Sequence, residues 1–465
     1  MLNDWPWIHW SNIQPYSIAI KTESKNYTWL SLKKKINKIG AYLSSQGLKK
    51  NQIVMLRGKN CIDILLCQLA IISIGSIVLL LNPYLSKFLL DELLVHLNID
   101  FIIDFNLDKS YLFNYSKLEY FNYNKYKIKN NFKLLKYSEL LKKPATLILT
   151  SGSNGLPKAV VHNIFAHMNS ANSVLDVINY EKYDCWLLSL PLFHISGQGI
   201  VWRWLLRGGL IAFKEKKLSD SLHGVTHVSL VPTQLFRLFN KDRRILLNLK
   251  EILLGGSMIP ISLTTKIANL GITCWCSYGM TEMASTVCIK VTNNKNGVGL
   301  PLKGKKIRII NNEIQIKSNT KALGYWFDGD IVPLNCINGW FKTNDRGAYI
   351  NGEYHVFGRL DNLFFSGGEF IQPEYIEKII NSHKNVIQSF IIPIKDKEFG
   401  YKPVAVLELR EKTSISIIEK WLKDKVAPYQ YPIYFCRLLP EFKVCINKIS
   451  RKYIKKWFLS KNIFK

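Results

Sequence analysis

The sequence predicts an α/β protein in two parts: a large N-terminal domain of layered sheets and helices, and a small C-terminal α+β domain. Short apolar runs recur through the first three quarters, among them Thr146-Leu147-Ile148-Leu149, Cys185-Trp186-Leu187-Leu188 and His227-Val228-Ser229-Leu230-Val231. Helical patterns separate these runs, and strands that alternate with helices indicate α/β layers. Near Gly358 the character changes to a Gly-rich loop, a helix from about Pro373, a strand over 386–393 and a helix from about Ser414. The division falls between 1–357 and 358–465, and a domain of about 100 residues is of ordinary size.

Taken in chain order, the N-terminus carries Asp4 with Trp5, Trp7 and Trp10 and lacks the basic start and apolar run of a signal peptide. Residues 64–81 are apolar enough to be weighed as a membrane span. Gly75 and Ser76 divide them, so a core helix followed by a buried parallel strand over 77–81 is the better reading. Residues 104–137 are rich in Tyr, Asn and Lys and read as a variable surface stretch without a motif.

Hydrophobic residues make up 48% of the 465-residue chain, ample for a large core. The formal net charge of +29 raises nucleic acid, membrane surfaces and anionic substrates as partners. The basic residues, however, are spread along the chain beside Asn and Ile, as A/T-rich codons would place them. No nucleic-acid-recognition motif accompanies them. Nine cysteines are present without a CxxC pair, and nothing near Cys274 and Cys276 completes a zinc site. Reduced thiols in a cytoplasmic protein follow.

Five segments carry candidate chemistry. Thr150-Ser151-Gly152-Ser153-Asn154-Gly155-Leu156-Pro157-Lys158 follows an apolar strand. Its glycines admit an anion to the backbone, its hydroxyls donate and its lysine supplies charge; a polar surface turn is the alternative. In Ser277-Tyr278-Gly279-Met280-Thr281-Glu282 a carboxylate beside a hydroxyl suits Mg²⁺ with a phosphate oxygen, and Tyr278 offers a ring to a base. Phe341-Lys342-Thr343-Asn344-Asp345-Arg346-Gly347 reads as a tight turn whose carboxylate could accept ribose hydroxyls, or as a plain Asp-capped turn. Gly358-Arg359-Leu360-Asp361-Asn362 leads into Ser366-Gly367-Gly368-Glu369 and a helix start at Pro373, either a ligand-facing joint or an ordinary linker. Asn447-Lys448-Ile449-Ser450-Arg451 is, alone, one more basic cluster.

In this order the five segments resemble the adenylate-forming superfamily of acyl-CoA synthetases, luciferases and adenylation domains. The closer likeness is to the o-succinylbenzoate–CoA ligase family of menaquinone synthesis. It is carried by Leu190-Pro191-Leu192-Phe193-His194-Ile195-Ser196-Gly197-Gln198-Gly199, Trp202-Arg203-Trp204, Ser229-Leu230-Val231-Pro232-Thr233-Gln234-Leu235 and the opening Asp4-Trp5-Pro6-Trp7. The resemblance implies that the C-terminal domain is mobile, with Asp361 as hinge. It implies that Thr150, Ser151, Ser153 and Lys158 line the ATP phosphates, and that Gly255, Gly256 and Tyr278 surround adenine. Thr281 would touch the α-phosphate, Glu282 would organise Mg²⁺, and Asp345 would hold the ribose with Arg359 nearby. Lys448 would bridge the substrate carboxylate and the α-phosphate. Gly368, with its neighbours, would face coenzyme A. His194, Ser196 and Ser229 would border the acid pocket, with His194 also counted among the catalytic groups.

The activity so implied is ligation of 2-succinylbenzoate to coenzyme A through an acyl adenylate. Its partners would be ATP, Mg²⁺, the acid and coenzyme A, without nucleic acid or a membrane span; a homo-oligomer is left open. Another aryl- or acyl-CoA synthetase and a decayed nucleotide-binding relative are the alternatives. Asn154, Ala159, Asn344, Phe370 and Asn447 depart from the usual pattern of the superfamily without removing a charged group.

Overall fold

The computed structural model describes residues 2–85, 87–105, 134–150, 157–213, 217–257, 259–293, 295–366, 369–396, 398–410, 413–439 and 451–461. Among the described residues the strands form four sheets.

The apolar 64–81 stretch shows how composition dictates the centre of the molecule. The helix Ile62–Ile74 is buried from Ile64 onward, as a helix apolar on every side must be. It ends at Gly75, whose φ of 84° is the left-handed cap that glycine supplies without a Cβ penalty. The strand Ile77–Leu81 follows, buried along its length and parallel to Ile53–Arg57 on one side and Pro144–Thr150 on the other. No described helix is long and apolar enough to cross a membrane.

These strands belong to a seven-stranded sheet that continues through Lys158–Asn163 to Gly324–Phe327. A nine-stranded sheet carries Cys185–Leu188, His227–Leu230, Glu251–Leu254 and Thr273–Met280 side by side. One apolar cluster draws Val54, Leu56 and Val78 from the first sheet and Ile20, Trp186 and Leu188 from the second. The same cluster takes in the helices Trp29–Ser45, Ile62–Ile74, Ile164–Leu175 and Ile195–Arg207, which therefore lie between the sheets. Trp5 and Trp7 of the opening stack at 4.9 Å and are buried in it. A third sheet of five strands contains Trp340–Ile350 paired with Glu353–Arg359, so the strand runs through Gly358 to Arg359.

The fourth sheet is built from residues 364–437, with Gly400–Leu409 at its centre and Val386–Asp396 paired along it at one edge. The helices Pro373–Asn381 and Ile415–Leu422 cover one face, and Arg451–Ser460 packs on the other through Ile454 and Phe458. Val386–Asp396 outruns the 386–393 expected of it. Arg451 ties this region together: Nη2 donates to both carboxylate oxygens of Glu377 at 2.7 and 2.8 Å, and Nη1 to Glu374 at 2.9 Å. Removing one partner of a buried ion pair strands the other charges. Arg451→Met should therefore destabilise this region by about 3–5 kcal/mol. Urea unfolding followed by Trp421 and Trp457 fluorescence measures it, and an unchanged midpoint would contradict the assignment.

Candidate active site

Three strands bring the first group of polar side chains together. Thr150 and Lys158 face each other across the antiparallel pair Pro144–Thr150 and Lys158–Asn163. Thr150 Oγ1 donates to the Lys158 carbonyl at 3.4 Å. Ser151 and Ser153 lie outside the described residues. Gly324–Phe327 pairs on the far side of the Lys158 strand and sets the Tyr325 ring 4.8 Å from Lys158 Nζ. The Tyr325 hydroxyl donates to Glu282 Oε1 at 3.0 Å. Burial first, and then the Glu282 charge, push this hydroxyl above its usual value, so it stays a donor.

The second group is centred on Asp345. Its carboxylate accepts the Tyr278 hydroxyl at 2.5 Å and Arg359 Nη1 at 3.3 Å. Arg359 also donates to the Thr343 carbonyl at 2.8 Å and to Asp361 at 2.9 and 3.0 Å. Burial alone would lower the Arg359 value; Asp361 and Asp345 more than offset it, so the guanidinium is held charged. The tight turn expected around Asp345 is corrected here: Asp345 sits inside the 11-residue strand Trp340–Ile350. Pairing with neighbours on both sides keeps the segment extended despite its turn-forming composition. The turn-like feature is confined to Asn344, whose φ is 57°. Asparagine is among the few side chains that tolerate this conformation. Gly255 and Gly256 follow the strand Glu251–Leu254, and a Cβ at Gly255 would lie 2.7 Å from Ser277 Oγ. The glycine thus lets the backbone pass directly beside the Tyr278 strand.

The third group lies around a small cavity of about 10 Å³ lined by His167, Ser170, Gly199, Trp202, Arg203 and Ser285, among others; His194, Ser196 and Ser229 are not in its lining. Asn60 clamps the preceding Leu190–Leu192 backbone, donating to the Leu190 carbonyl and accepting from Leu192 N–H, both at 2.8 Å. His194 and Ser196, half-buried, stand at the start of the Ile195–Arg207 helix. Ser229 is buried, and its hydroxyl accepts the Trp186 indole N–H at 3.1 Å. The ring of Trp186 carries Arg203, whose guanidinium carbon lies 4.4 Å from the ring centre.

Arg203 stands in a segment that carries the family likeness, but the sequence reading gave it no role. It is 2% exposed, and Nε is spent on the Gly199 carbonyl at 2.6 Å. Nη1 is buried without a hydrogen-bond partner, and no carboxylate among the described residues pairs with the cation. Burial lowers its value, partly countered by Tyr180. The available signal was a charge flanked by two tryptophans, Trp202-Arg203-Trp204. His167 stacks on Trp202 at 4.9 Å, and burial with His162 beside it holds the imidazole neutral.

Residues 8–326 match the model of the AMP-binding enzyme family, well over half of the chain. The chain belongs to the AMP-binding enzyme family. A relative from Salmonella typhimurium named 2-succinylbenzoate–CoA ligase is 41% identical over 98% of this chain and 98% of its own. A solved variant of Escherichia coli MenE with bound OSB-AMS superposes with a TM-score of 0.91 at 40% identity, covering 98% of this chain and 99% of that one. MenE from Bacillus subtilis in complex with ATP and magnesium ion superposes at 0.83 with 26% identity, over 94% and 96% of the two chains.

This AMP-binding enzyme therefore joins Lys158, Tyr325 and Glu282 in one array and Tyr278, Asp345, Arg359 and Asp361 in a second, linked through the 278–282 segment. Lys448 and Gly368 lie outside the described residues. Glu282 suits Mg²⁺ as a single hard carboxylate beside the Thr281 hydroxyl. Mg²⁺ is commonly held by one or two carboxylates completed by substrate phosphates. When bound there it would offset charge on those phosphates.

Proposed function

We propose that this enzyme activates 2-succinylbenzoate with ATP and transfers the acyl group to coenzyme A, in the cytoplasm where both co-substrates occur. The observation that carries the reading is the arrangement about one turn. Thr281 and Glu282 stand on it beside the Asp345 array, and the residues that follow them, Ala284, Ser285 and Thr286, wall the Arg203 cavity. An acid that reaches Arg203 with one carboxylate thus comes up against a nucleotide seated on Asp345. The acid has two carboxylates: one to be activated, the other to neutralise the unpaired Arg203. A second acidic group explains a buried cation that a fatty acid would leave uncompensated.

In the first half-reaction a carboxylate oxygen attacks the α-phosphorus, and the bond to pyrophosphate breaks. No general base is required, because the acid is already ionised at neutral pH. This chain's work is placement and charge: Asp345 on the ribose, Lys158, Thr150, Ser151 and Ser153 on the phosphates, Thr281 on the α-phosphate, Gly255 and Gly256 along the base. Lys448 is assigned to the developing charge between acid and phosphate. In the second half-reaction the thiolate of coenzyme A attacks the acyl carbon, and AMP leaves. We assign residues 358–465 to a domain that turns about Asp361 between the steps, withdrawing Lys448 and presenting Gly368. The ion pair between Asp361 and Arg359 would then be broken and remade in each cycle.

ATP–pyrophosphate exchange with and without 2-succinylbenzoate tests the reading. Exchange that depends on this acid is expected; exchange supported only by monocarboxylic acids would move the substrate to another aryl or acyl chain.

A further inference from the structure

The turn that bears Thr281 and Glu282 is strained and held from outside. Ala284 and Ser285 are consecutive non-glycine residues at φ of 52° and 97°. Left-handed backbone of this kind costs on the order of 1–3 kcal/mol per residue and persists only where surroundings enforce it. Here the enforcement falls on the carbonyls. The Glu282 carbonyl accepts Ala322 N–H at 2.8 Å, and the Met283 carbonyl accepts Thr320 Oγ1 at 2.9 Å. The Ala284 carbonyl accepts Ser170 Oγ at 2.5 Å, and the Thr286 carbonyl accepts Lys305 Nζ. Lys305 also donates to Ser173 Oγ at 3.3 Å, one turn along the helix from Ser170.

The donors are unusual for a merely structural contact. Lys305 is 6% exposed, and no carboxylate pairs with it among the described residues. Burying an ammonium to serve carbonyls costs more than an apolar side chain of equal size would. Burial brings it down to about 7, with Cys288 opposing. Ser170 is 4% exposed and Thr320 fully buried. They come from a helix, a strand and a loop of different parts of the chain, and converge on one turn.

We propose that Ser170, Lys305 and Thr320 are positioning residues that hold the 281–286 turn in its strained form, so that Glu282 meets the metal–nucleotide complex in the geometry adenylation requires. This rests on the reading of Glu282 as the metal-organising carboxylate.

The test compares Thr320→Val and Lys305→Met with the unaltered enzyme. Two rates are followed: ATP–pyrophosphate exchange over a Mg²⁺ titration, and thioester formation from supplied acyl adenylate. Outer-shell partners of a metal ligand cost about 10–100-fold in metal affinity or activity when removed. The expected result is a half-saturating Mg²⁺ concentration raised about tenfold or more, with thioester formation changed by much less. Lys305→Met could lower the yield of folded protein; Thr320→Val replaces one hydroxyl by a methyl, away from the cavity lining, and keeps the test decisive. Both rates falling together at unchanged Mg²⁺ demand would overturn the positioning role. Unaltered enzyme whose acid-dependent exchange needs no divalent cation would overturn the reading of Glu282 itself, and the proposal with it.

Discussion

Arg203→Met should abolish most of the enzyme's preference for a dicarboxylic acid while sparing its fold. The guanidinium is buried, carries an unpaired Nη1 and has no carboxylate partner among the described residues. In the free enzyme such a cation is a liability, and an apolar residue of similar volume is often neutral or stabilising in its place. What remains to be lost is the Trp186 contact, about 1–2 kcal/mol, and the Nε bond to the Gly199 carbonyl. In the complex the balance reverses, because a desolvated charge pair with one partner removed costs about 2–5 kcal/mol. The value of kcat/KM for 2-succinylbenzoate should fall about 10²–10³-fold, with the KM for ATP nearly unchanged. Monocarboxylic analogues should lose little, so the variant should no longer separate them from the diacid. Loss of activity toward diacid and monoacid alike would assign Arg203 to the architecture of the cavity instead.

Why sequence reading gave this arginine no role is physical. The pattern of Ile195–Arg207 shows a charge flanked by two tryptophans, and most such charges snorkel or find a partner. That this one does neither is settled by Trp186, Tyr180 and Gly199, contributed by two other segments and by the preceding turn. The same limit governs the rest of the site. Tyr278 was legible as an aromatic beside a Thr-Glu pair, but its bond to Asp345 joins positions 67 apart. Tyr325 carried no motif, and it links Lys158 to Glu282 only because Gly324–Phe327 pairs with the Lys158 strand. The elements themselves fared better where composition leaves one solution. An apolar run split by glycine and too short to cross a membrane twice becomes a buried helix, a left-handed cap and a central strand. Around Asp345 composition misled: Thr, Asn, Asp and Gly favour turns when local preference decides, and pairing on both sides overrode it.

Asp345→Ala should erase the enzyme's ability to distinguish ribose from deoxyribose. Asp345 is 7% exposed, its backbone N–H donates to Thr343 Oγ1 at 2.9 Å, and Tyr278 and Arg359 fix its carboxylate. An acceptor held this way presents the same oxygens to every nucleotide without reorganisation. Hydrogen bonds to a charged group contribute about 1.5–3 kcal/mol each. Losing those to the ribose hydroxyls should raise the KM for ATP about 10²-fold or more. The substitution also strands the Tyr278 hydroxyl, while Arg359 Nη1 keeps the Thr343 carbonyl, so stability should fall by about 1–3 kcal/mol. A raised KM alone would therefore be ambiguous between a lost contact and a disturbed strand. The cycle that separates them pairs the variant with 2′-deoxy-ATP and 3′-deoxy-ATP. The unaltered enzyme should penalise each deoxynucleotide, and Asp345→Ala should treat all three nearly alike, because the coupling belongs to the pair of groups and disappears with either. Equal discrimination in both enzymes would remove Asp345 from the ribose and leave it as the strut between Tyr278 and Arg359.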